Sequence, residues 1–174
     1  YARDRLSYWL ADRIDQLAFL TLAGLLYTVK NSGGTRTGSD LRNLEFATTS
    51  ADAPTSKRVA QWDDTNGLTI GGSSSSIVAA DTPCWEMFVQ AKAYAKETYM
   101  RGIMVNGEET YHAFLSPSAM AKLKLDPTYR DNLRYAQQRG TGNELFTGSS
   151  VKVDGIYLHE FRHVPNTRTA ASGS

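Results

Sequence analysis

With 174 residues, 41% of them hydrophobic, the chain is long enough to bury a real core, most simply as one domain with a smaller appendage. Nineteen Lys and Arg against eighteen Asp and Glu leave a formal charge of +1, which excludes a global electrostatic footprint for nucleic acid or membrane. The single cysteine, Cys84, excludes an intrachain disulfide framework and a multi-cysteine metal centre, and it fits a reducing compartment.

From Tyr1 to about Gly24, Leu6, Trp9, Leu10, Ile14, Leu17 and Leu20/Thr21 recur at three- and four-residue spacing. Arg3, Arg5, Asp12, Arg13 and Asp15 crowd other parts of the cylinder, so the pattern predicts a long amphipathic helix. At 1.5 Å per residue it runs roughly 35 Å, with Gly24 as its end signal and Asp12, Arg13 and Gln16 as near neighbours. The chain opens on Tyr1 rather than Met and enters this helix without a capping residue, so its natural start is expected upstream. No basic-then-apolar leader is seen, and the run Leu17 to Val29 is too short and too broken by Thr and Gly to span a bilayer; the expectation is a soluble protein with no membrane partner.

"NSGGTRTGSD" from Asn31, the segment Ser50 to Ser56 and "GGSSSS" from Gly71 are rich in Gly, Ser and Thr. They predict loops interrupted by short strands near Leu41 to Phe46 and Leu68 to Ile70, and loops of this length are expected to be pinned by contacts outside the chain. Thr82-Pro83 reads as a cap followed by proline in the first helical turn, launching a helix to about Met100 whose buried stripe takes Trp85, Phe88, Val89, Ala91, Ala95 and Tyr99. Asn106-Gly107 then sits between two extended runs, which predicts a β-hairpin because both turn residues need positive φ.

Ser116-Pro117 starts a helix to about Lys124 and Asp126-Pro127 another to about Gln138, each pairing a capping side chain with a proline whose missing N–H costs nothing there. After the loop "RGTGNELFTGSS", "VKVDGIYLHEF" repeats the hairpin pattern around Asp154-Gly155. Ile156, Leu158 and Glu160 then share one face, and Tyr157, His159 and Phe161 the other.

Within that last strand lies His159-Glu160-x-x-His163, the letters of a zinc peptidase. A zincin needs both imidazoles on one helical turn, reaching a metal at about 2.0–2.1 Å. On a strand they stand some 13 Å apart (~3.3 Å per residue), and Pro165 stops any helix begun at Leu158. After His163 the chain offers no further His, Asp, Glu or Cys, and His112 belongs to the earlier hairpin. The string is therefore read as strand, with hydrogen-bonding or structural histidines and no metal, cofactor or catalytic residue.

Other strings fail similarly. "GGTRTGS" has Gly33 and Gly38 at phosphate-loop spacing but Ser39 where the lysine should stand, so it reads as a flexible loop. "DDTNG" from Asp63 lacks the alternating ligands and distal Glu of a calcium loop, and reads as a turn. Ser116 and Cys84 have no activating partners in the pattern. Arg134 and Arg139 flank Tyr135, an arrangement suited to phosphate or base contact, although such stems more often pack against neighbouring subunits.

Three blocks, "WLADRIDQLAFLTLAG" (Trp9 to Gly24), "VNGEETYHAFLSP" (Val105 to Pro117) and "NELFTGSSVKVDGIYLHEFRHVPN" (Asn143 to Asn166), together resemble the major capsid proteins of tailed bacteriophages in the N4-like family. Lys30 to Ala80 matches little and reads as a variable insertion. The resemblance implies an α+β fold of the Hong Kong-97 capsid type: residues 1–30 as the spine helix of a peripheral domain, 31–80 as a loop-rich insertion, and 81–174 as an axial domain of mixed sheet flanked by helices. On that template the family's N-terminal arm and extended loop are expected upstream of Tyr1, and its closing peripheral strands after Asn166.

It further implies a structural, non-enzymatic subunit of an icosahedral shell. Its partners would be copies of itself in hexamers and pentamers, decoration or portal proteins, and packaged DNA touched non-specifically. The expected location is the virion capsid, after assembly in the host cytoplasm. Arg3, Asp4, Arg5, Asp12, Asp15, Arg134, Arg139 and Glu144 are the candidate intersubunit residues, against the alternative that they are solvated. Two other readings are weighed: a nanocompartment shell that encloses enzyme cargo, and a zinc hydrolase through His159, Glu160 and His163.

Overall fold

The computed structural model describes residues 1–38, 43, 52, 54–72, 76–136 and 151–166. Its elements in chain order are α1 (Ala2–Leu22), a one-turn 3-10 helix (Ser56–Arg58), β1 (Ala60–Asp63), β2 (Gly67–Ile70), α2 (Trp85–Glu97), β3 (Ile103–Val105), β4 (Glu108–Leu115), α3 (Pro117–Leu125), α4 (Pro127–Ala136), β5 (Val151–Val153) and β6 (Ile156–Glu160). The strand expected at Leu41 to Phe46, the end of the helix toward Gln138 and the loop from Arg139 to Ser150 lie outside the described residues, Asn43 apart.

Contacts divide the chain into two compact units. One brings together Tyr1–Gln61, Ile70–Ile77 and the segment from His163 onward; the other comprises Trp62–Thr69 and Val78–Arg162. The second unit holds α2 to α4 and β2 to β6, apart from the last residue of β2, and the first holds α1.

α1 begins without a side-chain cap, as its sequence predicts, and it ends at the expected glycine. Gly24 is left-handed (φ +68°), Leu25 N–H donates to Leu20 C=O and Gly24 N–H to Thr21 C=O, the paired bonds of a Schellman ending. α2 ends with the same bonds, Met100 N–H to Ala95 C=O and Tyr99 N–H to Lys96 C=O, but here the left-handed residue is Tyr99 (φ +56°). That residue was expected in the buried stripe; it is instead 92% exposed. Val89 is also exposed, and the buried members of α2 are Phe88 and Ala95.

The start of α2 is also corrected. Thr82-Pro83 precedes the helix, and Cys84 holds the N-cap position without capping through its side chain. Asp126 Oδ2 accepts instead from Trp85 N–H at 3.1 Å, and the same oxygen accepts from Tyr129 N–H at 3.1 Å as the cap of α4. A single carboxylate therefore serves two helix N-termini, where its negative charge also suits both dipoles. Burial is the main influence pushing the Cys84 thiol upward, so it stays protonated and a poor nucleophile near neutral pH. Ser116 caps α3 as expected, its Oγ accepting from Ala119 N–H at 3.3 Å.

Both hairpins form where predicted, with Asn106-Gly107 (φ +52° and +83°) and Asp154-Gly155 (φ +43° and +84°) left-handed as such turns require. The four-stranded sheet has the order β3-β4-β6-β5, with antiparallel outer pairs and a parallel central pair, β4 with β6. Alternation on β6 sends Ile156 and Leu158 inward, while Tyr157 and His159 stay on the half-buried face. The core of this unit packs Val153, Ile156, Leu158 and Leu115 from the sheet against Phe88, Met120, Leu123 and Tyr129 from the helices. "DDTNG" closes β1 to β2 as a turn, where Asp63 accepts from the backbone of Thr65 and Asn66 and from the Asn66 amide.

Asp126→Ala should cost about 1–2 kcal/mol per cap lost, hence more than Ser116→Ala, in the urea unfolding midpoint of the chain. Tyr99→Gly should raise stability by up to about 1 kcal/mol, because it removes a left-handed bulky residue without deleting any buried contact. A thermal melt that is unchanged or lower would refute the strain assigned to Tyr99.

Candidate interaction surfaces

α1 carries two ridges of four-residue spacing. Asp12, Gln16 and Leu20 form the ridge that meets the rest of its unit, and only Leu20 among the helix residues is fully buried. Leu6, Leu10 and Ile14 form the other, and they are 64%, 53% and 57% exposed. Trp9 is half exposed with the Arg13 guanidinium 5.4 Å over its ring, and Tyr8 and Leu22 extend the uncovered apolar surface. The amphipathic pattern is therefore real, but most of its apolar stripe has no cover among the described residues. A contiguous apolar strip of this kind marks an interaction surface.

The inward ridge anchors a buried polar clasp. His163 Nε2 lies 2.9 Å from Asp12 Oδ1, and Gln16 Nε2 donates to Asp12 Oδ2 at 2.7 Å. Asn31 Nδ2 donates to the carbonyls of His163 (2.7 Å) and Gln16 (3.1 Å), and Asn166 N–H donates to Asn31 C=O at 2.8 Å. Arg36 is buried and gives Nε to the carbonyls of Tyr27 (3.0 Å) and Val29 (3.1 Å) and one terminal nitrogen to Gln16 Oε1 (3.2 Å). Burial, and secondarily the charge of Arg13, push this guanidinium below its ordinary value. It nonetheless remains the cation around which the Thr28–Arg36 turn folds. The segment read as a flexible loop pinned from outside is thus held from within, with Val29 bridging Thr35.

The histidines of the peptidase-like string make different contacts. His163 lies beyond β6 against Asp12, whereas His159 lies on β6 with its Nε2 2.8 Å from His112 Nδ1. Glu160 pairs at 3.9 Å with Lys124. Among the described residues, no group of three or more His, Cys, Asp or Glu is placed to hold a metal, and no helix is long and apolar enough to cross a membrane.

Of the charged candidates, Arg3 and Asp15 are exposed, Asp4 stands 3.9 Å from the Tyr1 ammonium, and Arg5 donates to the Tyr1 hydroxyl while lying over its ring. Asp12 is occupied in the clasp. Arg134 forms an exposed pair with Asp131, and Arg139 and Glu144 lie outside the described residues. The Leu6–Leu10–Ile14 ridge is absent from those candidates, although its spacing stands in the sequence as the apolar side of the amphipathic helix.

In fold, the chain is similar to the capsid of Ralstonia phage GP4, with a TM-score of 0.66 and 20% identity over 94% of this chain and 45% of that one. That likeness defines the class: an α+β phage capsid fold. In sequence, it is 51% identical over 175 residues to the major capsid protein of Pseudomonas phage KPP25, an alignment spanning 99% of this chain and 46% of the relative. Over that span the chain is a homologue of a phage major capsid protein. It covers about half the length of each protein it matches, and no family model matches it.

Asn31→Ala removes two buried side-chain bonds to carbonyls while leaving the helix intact, and should cost about 1–3 kcal/mol. Hydrogen exchange should quicken at the amide of Asn166 first. Unchanged exchange there would mean that the clasp does not hold this segment.

Proposed function

We propose that the chain is the central part of a tailed-phage major capsid subunit of the Hong Kong-97 type, related to the N4-like group, whose copies tile an icosahedral shell around the genome. The observation that carries this reading is the 51% identity to a phage major capsid protein along nearly the whole chain. α1 serves as the spine helix of a peripheral domain, and the unit from α2 to β6 as the axial domain. The work is mechanical rather than catalytic: copies associate as hexamers and pentamers, and portal or decoration proteins and packaged DNA are secondary contacts. Assembly takes place in the host cytoplasm and the product resides in the virion.

The exposed Leu6–Leu10–Ile14 ridge supports the reading, because fully burying each such side chain against a neighbouring subunit is worth about 1.5–3 kcal/mol. Repeated over a closed shell, contacts of that size stabilise a container from individually modest interfaces. The near-zero net charge is compatible with a wall that faces DNA neutralised by its own counterions.

Electron microscopy of the full-length gene product should show closed, uniform particles. Leu10→Asp or Ile14→Asp in that product should lower particle yield at least tenfold while circular dichroism of the subunit is preserved. A wild-type product that stays dispersed under all assembly conditions would refute the shell reading; normal particles from both variants would refute the role given to the ridge.

A further inference from the structure

The parallel register of β4 and β6 sets His112 opposite Tyr157 and Phe114 opposite His159, so the two histidines meet on a diagonal of the half-exposed sheet face. Their rings lie within 10° of parallel with centroids 5.0 Å apart, and His112 Nδ1 is 2.8 Å from His159 Nε2. Centroids that far apart with nitrogens that close require two rings edge to edge in nearly one plane, sharing one N–H···N bond. One nitrogen donates and the other accepts, so one lone pair already points at its neighbour. Among the described residues, neither imidazole makes another hydrogen bond. The Tyr157 ring stands 5.3 Å from His112 and the Phe114 ring 5.1 Å from His159, flanking the pair at both ends.

We propose that His112 and His159 form a two-imidazole binding site for a divalent transition metal, Cu²⁺ most tightly and Ni²⁺ and Zn²⁺ after it, with water completing the coordination. Imidazole nitrogen is the ligand these ions favour, and their affinities follow that order. The hydrogen-bonded strands already hold the ligands within reach, so the entropy of assembling a chelate is largely met by folding. Metal–nitrogen bonds of about 2.0–2.1 Å at an angle of about 90–109° set the two nitrogens about 2.9–3.4 Å apart, so both rings must turn until their lone pairs converge to one side of the present N···N line, a change of side-chain torsions that leaves the strands in place.

In the neutral pair, the bridging proton moves to the other nitrogen of its own ring, so each ring keeps one proton and both facing lone pairs become available. Nearby charges are sparse: Lys152 lies over the Tyr157 ring and pairs with Glu108, and Glu160 pairs with Lys124. The site is distinct from the His159-Glu160-x-x-His163 string, whose second histidine belongs to the clasp.

The test is calorimetric titration of the full chain with Cu²⁺, Ni²⁺ and Zn²⁺ salts separately, with electron paramagnetic resonance of the Cu²⁺ form. One equivalent should bind, with hyperfine structure from two imidazole nitrogens. His112→Gln and His159→Gln, both on the sheet face outside the core, should each weaken binding at least tenfold with circular dichroism unchanged. Absence of saturable binding would overturn the proposal. So would binding that survives both substitutions, which would put the ion at His163 or the amino terminus.

Discussion

The parallel pairing of β4 with β6 is the constraint on which the α2–β6 unit depends. Parallel neighbours cannot be joined by a tight turn, so the chain between them must travel away and return, and α3 and α4 occupy that path. Once the register is set, Leu115, Ile156 and Leu158 face the same helices, and the ladder is continued at its two ends by Tyr111 N–H to Gly155 C=O and Phe161 N–H to Leu115 C=O. Slipping it by one residue would turn the apolar set of β6 outward. Lys92 resists this from the side: its ammonium lies 2.9 Å from Asp154 at the turn between β5 and β6. The Asp126 carboxylate fixes the beginnings of α2 and α4 over the same core.

Features that depend on near neighbours in sequence were legible. Asn106-Gly107, Asp154-Gly155, Ser116-Pro117, Asp126-Pro127 and Gly24 each state a local backbone requirement, and each did what its chemistry dictates. Features that depend on distant partners were not. Asp126 reaches back 41 residues to open α2, which displaced the start read from Thr82-Pro83. Tyr99 occupies a glycine's conformation because the Schellman bonds were formed at that point regardless of residue type.

The same distinction holds for the surfaces. His112 was set aside because it belonged to an earlier hairpin, yet strand pairing brought it to His159 across 47 residues. Arg36 looked like a loop cation, and no pattern indicates that three acceptors will surround it. Charged residues of α1 stood as contact candidates, while the leucines and isoleucine beside them, read only as the apolar side of an amphipathic helix, are uncovered among the described residues. Over its length the chain is a homologue of a phage major capsid protein, and an uncovered apolar ridge is the kind of surface that meets a partner.

His163 follows Asp12 by 151 residues, and that separation imposes an order on biosynthesis. At the usual elongation rate of about 5–20 residues per second, α1 leaves the ribosome roughly 8–30 s before the segment that closes its clasp. α2, α3 and α4 emerge within that interval, but β6, which ends at Glu160, emerges only at its close, so the central strand pair and the clasp are completed almost together. Until then, the contacts of Asn31 and Arg36 with Gln16 hold the inward ridge of α1, since those residues follow the helix closely in the chain.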